Sequence, residues 1–119
     1  MFIYKKVSDI LYINLKDITD EDFCEYEKVL DELYEKKKKF KILFDLTNMT
    51  LIDSTYSYRQ INLMKKNKEK TELYIDKTAI IINNSYIDKT LSVIFSLVKP
   101  IRPNIVTDTI EKGYIYLNN

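Results

Sequence analysis

The chain has 119 residues, a length that suits one domain with one core. Lys and Arg number 19 against 18 Asp and Glu, and a net charge of +1 calls for neither a polyanionic partner nor an acidic substrate. With no His, one Cys (Cys24) and one Gly (Gly113), the sequence excludes histidine triads, imidazole metal sites, intrachain disulfides, P-loops and the dinucleotide fingerprint, so no cofactor and no metal are expected.

Phe2–Leu15 holds two apolar stretches around Ser8-Asp9, a turn pair, and reads as a β-hairpin. Thr19-Asp20-Glu21-Asp22 then supplies an N-cap and an acidic first turn, and Phe23, Tyr26, Leu30, Leu33 and Tyr34 follow at helical spacing. Lys36–Lys39 closes that helix with positive charge at its negative end. Phe40–Leu46 is a short apolar run, as expected of a strand covered on both faces. Thr47–Ile52 is a loop, after which Asp53 or Ser54 caps a second helix carrying Tyr58, Ile61 and Met64 and ending in the lysines of Lys65–Lys70.

Thr78–Ile82 is a second buried strand, and Asn83-Asn84-Ser85 is a turn. Tyr86–Val98 is a third helix, stopped by Pro100 and Pro103. Its longest apolar stretch, Leu91–Val98, is broken by Ser92 and Ser96 and is far short of the ~20 residues of a membrane span. Ile105–Thr107 is a last short strand, and Asp108 caps a final helix with Ile110, Tyr114 and Leu117. After the hairpin, strands and helices alternate, which predicts a mostly parallel sheet with about four helices packed on its faces. No repeat, linker or low-complexity tail interrupts the pattern, so residues 1–119 are expected to form a single domain.

The segment Ile42-Leu43-Phe44-Asp45-Leu46-Thr47 followed by Ile52-Asp53-Ser54-Thr55 resembles the signature of STAS domains. In that signature a buried strand ends Asp-Leu-Ser, and a few residues later an apolar residue precedes Asp-Ser-Ser-Gly at the start of a helix. The tail, with a helix, a proline-containing link, the strand around Ile105-Val106 and a last helix, is similar to the SpoIIAA-like (STAS/SEC14) branch. The resemblance implies a STAS-like α/β domain with a mixed, mostly parallel sheet. It also implies non-enzymatic work as a regulatory, protein-binding module of the anti-sigma-factor-antagonist kind, docking through residues 47–57. Regulatory members carry a phosphorylated serine at the position of Thr55, so Asp53, Ser54, Thr55 and Tyr56 form the candidate phospho-switch or docking set. This chain departs from the pattern at Tyr56, where those members have glycine. A phosphate at a helix N-terminus meets unpaired N–H groups and a favourable dipole. The plainer alternative is that Asp53-Ser54-Thr55 is a helix cap.

Other candidates compete with simpler roles. Asp45 and Asp53 lie where open α/β sheets bind ligands, and they carry whatever enzymatic potential the chain has; loop bonding for Asp45 and capping for Asp53 are the simpler roles. Cys24 lacks a histidine base and reads as a packing residue or an idle thiol. The lysine runs sit at predicted helix ends, so no specific nucleic acid is expected. The third helix carries surplus apolar residues, and Tyr86, Leu91, Ile94, Phe95 and Val98 form a candidate apolar face for a second copy or a lipid-like ligand. The expected partner is another protein, with a homodimer and a small apolar-ligand carrier as alternatives. One thiol and no export signal point to the cytoplasm, or to the interior of a host cell if the source is viral.

Overall fold

The computed structural model describes residues 1–119. In chain order the elements are β1 (Phe2–Val7), β2 (Ile10–Leu15), α1 (Asp20–Glu35), β3 (Phe40–Asp45), α2 (Ser54–Lys66), α3 (Lys68–Tyr74), β4 (Ile75–Ile81), α4 (Ser85–Leu97), β5 (Asn104–Thr107) and α5 (Ile110–Asn118). The strands form one sheet in sequential order, with β1 antiparallel to β2 and every other neighbouring pair parallel. Ser8-Asp9 closes the hairpin, with Ser8 in the left-handed region at φ 57°.

Sequential strand order has a direct consequence. Right-handed crossovers between successive parallel strands place every crossover helix on the same side of the sheet. Accordingly α1, α2 and α4 share one face, packing Phe23, Tyr26, Leu30, Leu63, Ile87 and Leu91 over Leu11, Ile13, Ile42 and Ile80. Helix α5 is not a crossover between two of these strands and packs on the opposite face, where Leu117 meets Ile10, Leu43, Ala79 and Ile81. Gly113 allows that close approach. A Cβ at this position would stand 2.7 Å from Ile81 Cδ1 and 3.2 Å from Leu43 Cδ1.

The termini of the helices follow local chemistry. Thr19 and Asp22 form a capping box at α1, with Asp22 N–H donating to Thr19 Oγ1 (3.1 Å) and Thr19 N–H to Asp22 Oδ2 (3.0 Å). Asn84 caps α4, its Oδ1 accepting from Tyr86 N–H at 2.8 Å.

The structure corrects several expectations. There are five helices, because the lysine-rich end of the second predicted helix breaks at Asn67 and restarts as α3. Strand β4 starts at Ile75 rather than Thr78. Asp76 and Lys77 interrupt the apolar run, but Lys77 lies beneath α5, its ammonium 5.1 Å from the Tyr116 ring centre and 3.3 Å from the Tyr116 carbonyl oxygen. The cap of α5 is Thr109, whose Oγ1 accepts from Lys112 N–H at 3.2 Å; Asp108 instead pairs with Lys112 Nζ at 2.9 Å. Lys36–Lys39 lies beyond α1, which ends at Glu35 with Lys36 as its C-cap. Tyr58, placed on the apolar side of the second helix by its spacing, is exposed. Ile81 is fully buried, whereas Phe44 is only partly buried because its ring faces a cavity between the helices.

Candidate functional site

The site is built on the C-terminal end of β3. Asp45 is buried there, on the face of the sheet that α5 covers only in part, and both of its oxygens are fully used. Oδ1 accepts from Thr47 N–H (3.1 Å) and Thr47 Oγ1–H (2.6 Å). Oδ2 accepts from the Tyr12 hydroxyl (2.5 Å) and Asn14 Nδ2 (3.0 Å), both on the neighbouring strand β2. Burial by itself raises this carboxyl's pKa, but the donors from Thr47, Tyr12 and Asn14 outweigh it and hold the group below its ordinary value. A carboxylate stabilised in this way is a weak base with no spare lone pair facing a ligand. Its chemistry is to clasp the chain as it leaves the sheet.

The loop that follows is pinned from three directions. Leu46 N–H donates to Ile81 O at 2.9 Å, and Met49 N–H to Leu46 O at 3.1 Å. Met49 is buried against Ile80, Ile82 and Ile87. Asn84 Nδ2 reaches Thr50 O at 3.5 Å. Leu51 projects outward, 71% exposed. Asp53 is then the N-cap of α2, its Oδ1 accepting from Thr55 N–H at 2.7 Å. Ser54 and Thr55 occupy the first turn, and both are exposed. Asp45 and Asp53 therefore serve separate hydrogen-bond sets.

Tyr56 turns inward and helps to bind α2 to α1. Its ring stacks on Phe23 at 6.3 Å, and its hydroxyl donates to Asp20 Oδ1 at 3.2 Å. Arg59, which the sequence reading passed over, completes this contact. Its guanidinium lies 4.3 Å over the Phe23 ring and pairs with Asp20 (3.1 Å) and Glu27 (3.6 Å). Cys24 is exposed beside it, with Sγ 3.8 Å from Arg59 Nη2. The bulk of Tyr56, unusual against the glycine of the resembled pattern, is thus taken up by an aromatic pocket on α1 and does not cover Thr55.

The five residues of the candidate apolar face do not lie together. Leu91 and Ile94 are buried in the core, Phe95 and Val98 are half-buried along the cavity, and Tyr86 is exposed on another side of α4. The exposed apolar residues of that helix are Tyr86, Val93 and Leu97. Sequence periodicity separates buried from exposed positions poorly here, because α4 is apolar on most of its circumference. Tyr58 and Leu51, exposed beside Ser54 and Thr55, are the surface features that the sequence reading missed. A proximity of three to four residues on one helix was the only available signal for Tyr58.

No protein-family model matches the chain, and no curated protein matches it. Solved structures do. The protein TM1081, determined by NMR, superposes with a TM-score of 0.67 at 23% identity, over all of this chain and 90% of that one. A serine-to-glutamate variant of Moorella thermoacetica RsbS gives 0.63 at 13% identity, over 99% of this chain and 95% of that one. An anti-sigma factor antagonist from Mycobacterium paratuberculosis gives 0.59 at 8% identity, over 100% and 94%.

The chain has a STAS-like fold.

In this STAS-like fold the loop after β3 and the first turn of α2 stand at the carboxyl end of the parallel strands, where an open α/β sheet presents its variable surface. No helix in it is long and apolar enough to cross a membrane.

Proposed function

We propose that residues 1–119 form one non-enzymatic regulatory domain that acts by docking another protein through residues 47–57 and the adjoining face of α2. The observation that carries this reading is the contrast within one short segment. The clasp on Asp45 and the anchors at Met49 and Tyr56 hold the loop in place, while Leu51, Ser54, Thr55 and Tyr58 are left exposed on it. A rigid scaffold that presents an apolar and hydroxyl-bearing surface suits recognition, because little ordering entropy is lost on docking. Support also comes from the structural neighbours, one of which is an anti-sigma factor antagonist. Asp45, the residue best placed for acid–base work, is held as a low-pKa carboxylate with every lone-pair direction taken, which supports a role without chemistry.

Phosphorylation of Thr55 or Ser54 is the proposed control of docking. Either hydroxyl lies in the first turn of α2, where added negative charge is stabilised by the helix dipole and alters the docking surface. The test is Thr55→Glu, read twice. Its thermal melt is expected to match the wild type, since an acid in a first turn suits the dipole. Its binding to a partner captured by the wild-type protein from the native source is expected to be lost. Unchanged binding removes the switch and leaves Asp53-Ser54-Thr55 as capping chemistry.

A further inference from the structure

A net charge near zero conceals a strong segregation of charge. The helices between parallel strands start where one strand ends and stop where the next begins, so the C-terminal ends of α1, α3 and α4 collect at the edge where β3, β4 and β5 start. Lys36–Lys39 follows α1, four lysines (Lys65, Lys66, Lys68 and Lys70) flank the α2–α3 break, and Lys99 and Arg102 lie on the link from α4 to β5. These segments meet around the start of β4. Lys70 Nζ lies 5.9 Å from the Tyr34 ring centre at the end of α1, Lys39 Nζ is 3.9 Å from Asp76 Oδ1, and Arg102 Nε donates to Ile75 O at 2.9 Å. The acids of the helix starts, among them Asp20, Glu21, Asp53 and Asp88, stand at the other end of the sheet.

Helix dipoles do not account for this cluster. A cation is favoured in the last turn of a helix. Lys65 and Lys66 meet that condition, but Lys36–Lys39 lies beyond the last turn of α1. Lys68 and Lys70 open α3, at the end where positive charge is disfavoured. Ion pairing does not account for it either. Of these cations only Lys39 pairs with an acidic side chain, although Glu35, Glu69 and Glu72 stand at the same end. All the lysines of the cluster are exposed.

Apolar side chains project from the same end. Leu73 is 60% exposed and shares a helix face with Lys70, three residues before it. Leu97 at the end of α4 and Ile101 on the following link are exposed as well. This mixture separates two kinds of polyanion. A nucleic-acid surface draws on arginine forks for phosphate and on exposed aromatic rings for stacking bases. Here the one arginine is tied to Ile75 O through Nε, and the tyrosines at this end, Tyr34 and Tyr74, are covered. Flexible lysines around exposed aliphatic side chains suit an acidic bilayer, where ammonium groups meet phosphates and the aliphatic tips enter the interface.

We propose that the strand-start end of this domain is a peripheral docking surface for a bilayer of acidic phospholipids, with the lysines on the headgroups and Leu73, Leu97 and Ile101 entering the interface. The surface is independent of residues 47–57. Strand β3 puts roughly 17 Å between its start and the loop that leaves its other end, so a domain seated on lipid in this way keeps that loop turned away from the membrane.

The test is flotation of the full chain with vesicles of phosphatidylcholine alone and of phosphatidylcholine mixed equally with phosphatidylglycerol. Binding is expected to the acidic vesicles only. Lys65→Gln/Lys68→Gln/Lys70→Gln is expected to weaken it at least about 10-fold, since each basic residue at an acidic surface contributes roughly fivefold. Leu73→Gln is expected to weaken it about threefold or more through the lost apolar contact. Lys16→Gln/Lys89→Gln/Lys112→Gln, the control, removes as many exposed lysines away from this end and is expected to leave binding within about twofold. Thermal melts establish that each variant is folded; should the first triple not fold, Lys36→Gln/Lys38→Gln/Lys39→Gln takes its place with the same expectation. Equal binding to both vesicles, or none to either, overturns the proposal. So does an equal loss in the control triple, an unchanged affinity in Leu73→Gln, or a short duplex RNA bound as tightly, per phosphate, as the acidic vesicles.

Discussion

Removing the Asp45 carboxylate tests whether that group holds the loop in place. Asp45→Ala takes away the acceptor of four hydrogen bonds, from Tyr12, Asn14 and both donors of Thr47. Asn14 is buried, so its amide bears the cost of an unsatisfied donor, ~1–3 kcal/mol. Tyr12 and Thr47 are half-buried and can turn to water, so each of their bonds loses only a net ~0.5–1.5 kcal/mol. The expected total is ~2.5–7.5 kcal/mol, a large part of the ~5–15 kcal/mol that holds a domain folded. Asp45→Asn keeps an acceptor for Thr47 and should cost ~1–2 kcal/mol at neutral pH. Its greater use is in acid. The folded-state pKa of Asp45 is lowered, so the charged group's contribution is complete above the unfolded carboxylate value of ~3.9. That contribution is lost as pH falls through the lower folded value. An asparagine does not titrate, so the stability gap between wild type and Asp45→Asn should narrow as pH falls below ~4. Urea unfolding of both proteins, followed by circular dichroism from pH 7 downward, measures the gap. A gap that stays constant or widens in acid would refute the assignment of Asp45 as a stabilised carboxylate.

Three further outcomes can be checked by the same unfolding assay. Gly113→Val should destabilise by ~1–3 kcal/mol, because its Cβ meets Ile81 Cδ1 at 2.7 Å between a packed helix and sheet; a neutral result would mean that α5 does not sit so close. Ile81→Ala should cost ~2–5 kcal/mol, and Phe44→Ala clearly less than a fully buried phenylalanine, since its ring already borders empty space; equal or reversed costs would contradict the placement of the cavity. Asp53→Ala should lose ~0.5–2 kcal/mol through the missing bond to Thr55 N–H, and an unchanged melt would show that the cap contributes nothing.

Most of the architecture is local in origin and was legible in the residues. Alternating apolar runs and amphipathic periods defined the hairpin, the four major helices and the parallel strands, and Thr19 with Asp22 marked the start of α1 without ambiguity. The Asp-Leu-Thr and Asp-Ser-Thr pair, at its spacing, resembles the STAS signature, and the STAS-like fold was legible through that resemblance. What the sequence could not supply were facts that depend on which surfaces meet. Lys77 belongs to a strand because α5 returns to cover its stem. Tyr58 faces solvent because Tyr56 and Arg59 turn the other side of α2 onto Phe23. Leu91, Ile94, Phe95 and Val98 have different environments, although their chemistry is alike, because the helix layer leaves a gap beside α4. Asn67 looked like one polar residue in a lysine-rich helix end. Only the structure shows that its side chain is buried and its Oδ1 left without a hydrogen bond, which the sequence pattern does not signal.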